Sequence, residues 1–190
     1  MLDTKKKIAL GFVIYKAELS LVERIKLASV AGYQCYIFDN SPADYTFNKN
    51  FNNTSNCKYT TVGKNVGLGF GISCVCAQAY YDGSESLLFF DQDTVFDLST
   101  LEFINEFNVE KKKLLQNNSS VLFNAKNPDF FYSENRFELN DVLLTISSGS
   151  LFFLERLKEI NWHNETYFVD CVDYEFCLNS NNHNLKNGVC

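Results

Sequence analysis

Residues 86–94 place the strongest constraint on how this chain folds. The first five, Ser-Leu-Leu-Phe-Phe, are typical of a buried strand, and the run ends in Asp91-Gln-Asp93-Thr. Because the side chains of alternate residues in an extended chain point the same way, Asp91 and Asp93 could bind one cation together. Open α/β sheets bind ligands at the carboxyl ends of their strands, and a hard divalent ion held by few carboxylates keeps room for substrate phosphates. The run therefore predicts a site for a metal-bound phosphorylated ligand; the alternative is a solvated strand-to-loop turn.

The composition of the chain indicates a single domain over residues 1–190. Of its 190 residues, 46% are hydrophobic, which is enough for one substantial core and too little for two. The net charge of −6 and the scattered lysines and arginines argue against nucleic acid as the main partner. Cysteine occurs seven times, an odd count without regular spacing, which favours reduced thiols over a disulfide framework or a zinc site.

The sequence predicts a cytoplasmic protein. No apolar run approaches membrane-spanning length, and the amino terminus lacks the apolar stretch and cleavage signal of a secreted protein. Three consecutive lysines at 5–7 favour a solvated terminus, and they also keep peripheral contact with the inner face of the cytoplasmic membrane open as a hypothesis.

Strand-like and helix-like segments alternate along the chain. Apolar patterns predict strands at 8–14, 34–38, 58–62, 86–90 and 121–125, and an extended segment at 137–146. Helical spacing predicts helices at 19–31, 67–81, 98–115 and 151–160, and a further one from Val172. The polar stretch 44–56 is predicted to be a surface loop. Repeated β-α-β order predicts an α/β fold with a mostly parallel sheet flanked by helices.

Two features of the first half are candidate nucleotide contacts. Residues 62–71 form a glycine-spaced turn that enters a helix, where free backbone amides favour a phosphate; the equally weighted alternative is a tight turn with close helix packing. At the ends of the first two strands, Tyr15 could stack on a base and Asp39 could accept hydrogen bonds from a base or ribose. Their alternatives are simple packing for Tyr15 and an Asx-turn for Asp39.

The second half contains four carboxylates within the aromatic segment 165–175. Asp173 is predicted to lie in the first turn of a helix, which by itself is a favourable helix start. Carboxylates this close together repel one another unless a cation, a proton or a substrate offsets their negative charge. Such repulsion can shift the pKa of one carboxylate into the range that a general base needs.

Taken together and in order, five segments resemble the inverting family-two glycosyltransferases of the GT-A fold, in particular the bacterial rhamnosyltransferase-like branch that builds O-antigen and capsule. The matching segments are Tyr36-Ile-Phe-Asp-Asn-Ser41, Lys64-Asn-Val-Gly-Leu-Gly-Phe-Gly71, Leu87-Leu-Phe-Phe-Asp-Gln-Asp-Thr94, Thr145-Ile-Ser-Ser-Gly-Ser150 and Glu165-Thr-Tyr-Phe-Val-Asp-Cys-Val-Asp-Tyr-Glu-Phe-Cys177. The resemblance implies transfer of a sugar from a nucleoside-diphosphate donor, such as dTDP-rhamnose or a UDP-hexose, to a hydroxyl of a glycan or lipid-linked glycan acceptor.

The resemblance also implies a role for individual residues. Residues 1–97 would form the nucleotide-binding half and residues 98–190 the donor-sugar and acceptor half. The implied nucleotide contacts are Asp39 at the base, Asn65 and Gly67 nearby, and Asp91 at the diphosphate. Asp91 and Asp93 would hold Mg²⁺ or Mn²⁺.

In the second half, the resemblance implies that Ser148 and Gly149 line the donor-sugar pocket. Asp173 would deprotonate the acceptor hydroxyl, with inversion at the anomeric carbon.

Two departures from the family pattern leave other functions open. Asn179 stands where relatives usually carry an arginine, and the chain ends at Cys190, where relatives continue, so that the carboxyl-terminal part is short. A catalytically silent nucleotide-sugar binding remnant is therefore one alternative. A haloacid-dehalogenase-type phosphatase is another, with Asp91 as its nucleophile, although that motif normally lies on the first strand.

Overall fold

The structure is a computed structural model that describes residues 8–45, 51, 54–123 and 138–190. Within these ranges the chain forms one sheet with the strand order β3-β2-β1-β4-β7-β5-β8-β6. The strands are β1 (Ile8–Ile14), β2 (Cys35–Asp39), β3 (Cys57–Thr61), β4 (Ser86–Asp91), β5 (Asn118–Leu122), β6 (Asn140–Val142), β7 (Ser150–Phe153) and β8 (Lys186–Val189). The helices are α1 (Leu19–Val30), α2 (Leu68–Tyr81), α3 (Leu98–Glu110), α4 (Leu154–Glu159) and α5 (Val172–Asn182).

The first half of the sheet is parallel and the second half is mixed. Strands β3, β2, β1 and β4 run parallel to one another. Strand β7 lies antiparallel between β4 and β5, β8 is parallel to β5, and β6 is antiparallel to β8. The prediction of an α/β fold with a mostly parallel sheet between helices is confirmed.

Central strands are buried on both faces, because helices cover each side of the sheet. All seven residues of β1 and the first five of β4 are buried. Apolar side chains of α1 and α3 pack on one face, including Leu21, Ile25 and Phe107. Helices α2, α4 and α5 pack on the other face. This explains why these strands are continuous apolar runs rather than alternating ones.

Strand β7 corrects the prediction of a helix over residues 151–160. Leu151, Phe152 and Phe153 belong to the strand, and the helix starts only at Leu154. These apolar residues pair through their backbones with β4 and β5 and are buried. Periodicity alone does not distinguish a buried strand from a buried helix in so short an apolar run, so the sequence pattern was insufficient here.

Other predicted boundaries shift by several residues. The helix predicted over 98–115 ends at Glu110, and a 3-10 helix, Leu114–Asn117, follows it. Strand β5 begins three residues before the predicted start, while residues 124 and 125 of that prediction lie outside the described residues. Of the extended segment 137–146 only Asn140–Val142 is a strand, and residue 137 is not described. Residues 5–7 and much of the predicted loop 44–56 also lie outside the described ranges.

The described helices include none that is both long and apolar enough to cross a membrane. This finding covers the described residues only.

His163 is a buried polar residue within the core on the α2 side of the sheet. Its ring stacks on Phe176 with centroids 4.3 Å apart and meets Phe152 edge to face at 4.9 Å. Neither ring nitrogen has a hydrogen-bond partner. Burial lowers the pKa of His163 to about 3, whereas the pKa of a histidine in an unfolded chain is about 6.5. His163 is therefore neutral in the folded protein at neutral pH.

The buried imidazole predicts a specific acid sensitivity. Between about pH 6.5 and about pH 3 the unfolded chain binds a proton at His163 that the folded chain does not, so the free energy of unfolding falls as the pH falls through this window. The contribution of this one group has a slope of at most about 1.4 kcal/mol per pH unit. We expect His163→Phe, which preserves the aromatic packing, to flatten the pH dependence measured by urea denaturation. The exposed His183 offers a matched control, because His183→Gln removes an imidazole from the surface instead of from the core. An unchanged slope in His163→Phe would contradict the assignment.

Candidate functional site

Three of the sequence-predicted residues meet at one edge of the sheet because of the strand register. Ile14 at the end of β1 lies opposite Asp39 at the end of β2, and Val13 lies opposite Asp91 at the end of β4. Tyr15 follows β1 directly. All three strands are parallel, so Tyr15, Asp39 and Asp91 share the carboxyl edge where α/β sheets bind ligands.

The turn at residues 147–149 is attached to the end of β4. The backbone N–H of Asp91 donates to Ser148 Oγ at 3.0 Å, and Ser148 Oγ lies 2.7 Å from Thr94 Oγ1. The backbone N–H of Gly149 donates to the Phe89 carbonyl at 2.8 Å. Gly149 has φ +81°, a conformation that glycine adopts without strain. Ser148 and Gly149 therefore lie directly beside Asp91.

The same turn contacts Asp173 through Ser147. Both the backbone N–H and the hydroxyl of Ser147 donate to Oδ1 of Asp173, the first of them at 3.0 Å. Asp173 lies in the first turn of α5, which begins after Cys171 in a left-handed conformation at φ 64°. Ser147 is thus a site residue that the sequence did not single out as a contact of Asp173, although it lies within the Thr145–Ser150 segment.

Three carboxylates repel one another at this edge. Burial, followed by the negative charges of Asp93 and Asp173, raises the pKa of Asp91 to about 6. Asp91 is partly buried, whereas Asp93 is exposed. The described part of the chain contains no group of three side chains already arranged around one metal position. Carboxylate oxygens nevertheless suit Mg²⁺ or Mn²⁺, and Mg²⁺ is commonly held by one or two carboxylates, with waters and substrate phosphates completing the shell.

Asp39 is fully buried and engaged by its own chain. Its Oδ1 accepts a hydrogen bond from the Ser41 backbone N–H at 2.8 Å, and its Oδ2 accepts one from the Tyr59 hydroxyl. The hydrogen bond from the Ser41 backbone, two residues after Asp39, forms the Asx-turn that was the alternative interpretation of Asp39. A contact between Asp39 and a nucleobase therefore stays a prediction.

Gln92 joins the loop after β4 to the end of β1. Its side-chain Oε1 accepts a hydrogen bond from the Tyr15 backbone N–H at 2.8 Å, and its carbonyl accepts one from Arg24 Nη2 at 3.2 Å. The Tyr15 ring remains 42% exposed, so a stacking role for it is sterically open and stays a prediction. The sequence contained the signal for Gln92, since it is the middle residue of the Asp-Gln-Asp motif.

The glycine-spaced turn is held by two asparagines. Asn65 Oδ1 accepts from the Gly67 N–H at 3.0 Å. The Asn40 side chain accepts from the Val66 N–H at 3.1 Å and donates to the Gly67 carbonyl at 3.0 Å. Gly67 itself has φ +97°. These hydrogen bonds do not test whether Asn65 and Gly67 lie near a nucleotide, so that contact stays a prediction.

The first amides of α2 are not free, which corrects one expectation. Leu68 N–H donates to the Phe168 carbonyl at 2.5 Å, and Gly69 N–H donates to the Tyr167 carbonyl at 3.3 Å. A Cβ at Gly69 would lie 2.8 Å from the Tyr167 carbonyl oxygen, and one at Gly67 would lie 2.9 Å from Phe168 Cα. The glycines here allow the loop before α5 to pack closely, so the idea that these two amides bind a phosphate is wrong.

The fold is that of the GT-A glycosyltransferases. Solved structures with similar architecture include TarS 1–349 of S. aureus in complex with UDP, at a TM-score of 0.70 and 19% sequence identity over 96% of this chain and 57% of that chain. TarS 1–349 in complex with UDP-GlcNAc gives a TM-score of 0.68 at 18% identity, over 96% of this chain and 55% of that one. GalNAc-T7 with UDP, GalNAc and Mn²⁺ gives a TM-score of 0.71 at 9% sequence identity, over 98% of this chain and 43% of that chain.

The chain thus spans little more than half the length of the TarS 1–349 chains. No family model matches the sequence, and no curated protein matches it. At these identities the likeness establishes the fold and leaves the activity to be inferred from the residues.

Charge repulsion at Asp91 predicts a gain in stability when its charge is removed. In the presence of a chelator at about pH 8, Asp91→Asn should raise the melting temperature by about 2 to 4 °C, because about 1 kcal/mol of relieved repulsion and desolvation shifts a domain of this size by that amount. Differential scanning fluorimetry measures the shift. The exposed Asp170 provides the control, since Asp170→Asn makes the same change of charge. A lower melting temperature for Asp91→Asn would show that the carboxylate is not destabilising.

Proposed function

We propose that this chain is an inverting, rhamnosyltransferase-like glycosyltransferase that moves a sugar from a nucleoside-diphosphate donor to a hydroxyl of a glycan acceptor. The observation that carries the proposal is that adjacent serines of one turn, Ser147 and Ser148, contact Asp173 and Asp91 at the carboxyl edge of a GT-A sheet. Asp93 lies two residues beyond Asp91. Support also comes from solved structures of similar fold, which contain UDP, UDP-GlcNAc, or UDP with GalNAc and Mn²⁺.

In this proposal Asp91 and Asp93 hold Mg²⁺ or Mn²⁺. A divalent cation bound there would supply the positive charge that offsets the negative charge on the leaving diphosphate. The raised pKa of Asp91 supports this assignment, because the chain by itself leaves the repulsion between neighbouring carboxylates uncompensated.

Asp173 is proposed as the general base. A carboxylate that accepts the proton of the acceptor hydroxyl strengthens the nucleophile as it attacks the anomeric carbon opposite the leaving diphosphate. The two hydrogen bonds from Ser147 support this role, since they hold Oδ1 and so fix the orientation of the carboxylate. Ser148 and Gly149, on the same turn, are proposed to line the pocket of the donor sugar.

The nucleotide half is proposed to extend over residues 1–97. Asn65, Gly67 and Asp91 would lie near the nucleotide, Asp39 near the base, and Tyr15 would stack on the base. The second half, residues 98–190, would hold the donor sugar and the acceptor. Support for the division is the sheet itself, whose parallel part contains β1 to β4 and whose mixed part contains β5 to β8.

The donor is proposed to be dTDP-rhamnose or a UDP-hexose. The motifs favour the first, whereas the uridine nucleotides in the similar structures favour the second. By its resemblance the chain would act in the synthesis of a surface polysaccharide such as O-antigen or capsule, in the cytoplasm or at the inner face of the membrane, on a glycan or lipid-linked glycan.

A catalytically silent nucleotide-sugar binding protein is the second candidate. It is favoured by Asn179, whose side chain donates to the Ile160 carbonyl at 3.1 Å and stands where relatives carry a cation. The phosphatase alternative is disfavoured, because Asp91 ends the fourth strand of the described residues rather than the first.

Calorimetric titration with a panel of nucleoside-diphosphate sugars, with and without Mn²⁺, tests the donor and the metal together. We expect Mn²⁺-dependent binding that Asp93→Ala abolishes without unfolding the protein. Asp173→Asn should preserve binding and stop sugar transfer, while the matched change Asp170→Asn should preserve both.

Each alternative has its own signature in this experiment. Metal-dependent binding without transfer or donor hydrolysis selects the silent binding protein. Hydrolysis of an aryl phosphate that Asp91→Asn abolishes selects the phosphatase. Donor binding that is indifferent to Mn²⁺ and to Asp93→Ala removes the metal assignment.

Ser147 is expected to act on the turnover number rather than on donor affinity. Ser147→Ala removes one of two hydrogen bonds to the Asp173 carboxylate, and a hydrogen bond to a charged group is worth about 1.5 to 3 kcal/mol. We therefore predict that kcat falls by about tenfold or more while the donor Kd is unchanged. Ser147→Thr retains the hydroxyl and should restore most of the rate. Equal losses in both variants, or a weaker donor Kd, would argue for a purely structural role.

A further inference from the structure

Two cysteines face each other across the first two strands at one edge of the sheet. Cys35 begins β2 and Cys57 begins β3, and the two are register partners in the parallel pair. Neighbouring strands lie about 4.8 Å apart, which is within the range of about 4.4 to 6.8 Å between the Cα atoms of a disulfide. Both thiols are free. Nothing in the proposed glycosyl transfer uses them.

Cys57 has the surroundings of a reactive thiol. It is partly exposed, on a strand that has only β2 as a neighbour in the described sheet. The neighbouring Cys35 thiol has the largest effect and lowers the pKa of Cys57; Ser29 and the positive charge of Lys26 act in the same direction, against the opposing effect of burial. A larger thiolate fraction follows, and the thiolate is the form that oxidants attack.

Cys35 has the complementary surroundings of a resolving thiol. It is fully buried, and its sulfur also lies 3.7 Å from the Tyr33 carbonyl. The neighbouring Cys57 thiol and burial raise the pKa of Cys35, so it stays protonated, and its burial shields it from oxidants in the solvent. A reactive, accessible cysteine next to such a partner is the arrangement found in redox-sensitive sites.

We propose that Cys57 and Cys35 form a hydroperoxide-sensitive pair that closes into a disulfide between β3 and β2. In the first step the Cys57 thiolate attacks a peroxide oxygen: an S–O bond forms, the O–O bond breaks, and the leaving oxide takes up a proton. In the second step Cys35 attacks the Cys57 sulfur: the S–S bond forms, the S–O bond breaks, and the oxygen leaves as water with the Cys35 proton. The two thiols lose two electrons, and the hydroperoxide gains them.

The geometry makes this disulfide reversible. A disulfide needs its Cβ atoms about 3.5 to 4.5 Å apart, slightly less than the usual strand spacing of about 4.8 Å, so closing the bond draws β3 toward β2. An edge strand can make this movement, and the residual strain leaves the bond easier to reduce. The pair lies at the amino ends of the strands, four residues from Asp39, so the candidate site is at the opposite end of β2.

Peptide mapping after oxidation tests the proposal on the full chain. The protein is treated with one equivalent of hydrogen peroxide, remaining thiols are alkylated, and non-reduced digests are analysed by mass spectrometry. We expect a Cys35–Cys57 linkage in the monomer that dithiothreitol reverses, and a melting temperature several degrees higher in the oxidised form. Cys57→Ser should abolish the linkage, whereas Cys171→Ser, a change at an exposed cysteine, should preserve it.

The order of the two steps is tested with a sulfenic-acid trap. In Cys35→Ser, dimedone should label Cys57, because no resolving thiol is present, and label it several times more than Cys171. If peroxide modifies Cys57 no faster than Cys171, or if the wild-type linkage joins other cysteines, the proposal is overturned. The linkage in the wild-type protein decides the matter even if Cys35→Ser folds poorly. Donor binding plays no part in this readout, so its outcome is independent of the proposed function.

Discussion

The candidate site depends on electrostatic repulsion among carboxylates at the end of β4. The first five residues of this strand are buried, so Asp91 emerges from the sheet where water is restricted, and Asp93 and Asp173 add negative charge nearby. Without a cation this arrangement costs stability. The proposed divalent cation would relieve this cost, because its positive charge would offset the repulsion among the carboxylates.

The turn at 147–149 connects the two chemical parts of the site. Ser148 accepts from the Asp91 backbone, and Ser147 donates to Asp173, so adjacent residues of one turn reach β4 and the start of α5. Strand β7 follows this turn directly and pairs with β4. The distance between the proposed metal and the proposed base is therefore set by the register of β7 against β4 rather than by a flexible loop.

Sequence reasoning predicted the parts of the fold in which local pattern and burial agree. The buried run of β1 and the strand that ends in Asp91 follow from apolar continuity, which is typical of a central strand covered on both faces. It was wrong at residues 151–153, because an apolar triplet fits a helix and a strand equally well and only pairing with β4 and β5 decides. The contact of Ser147 with Asp173 was likewise out of reach, since it joins residues 26 positions apart through the packing of α5.

The covered start of α2 changes how a bound diphosphate would be stabilised. A glycine-led helix usually offers free amides to phosphate oxygens, but here the Leu68 and Gly69 amides are bonded to the loop that precedes α5. That loop also connects to α2 through Glu165, which accepts from Ser73 at 3.2 Å. With those amides occupied, the proposed cation on Asp91 and Asp93 would have to supply the positive charge that the Leu68 and Gly69 amides do not offer to a diphosphate. The glycines then allow the loop before α5 to pack against the start of α2, and this packing links the position of Asp173, the proposed general base, to the part of the sheet that ends in Asp91.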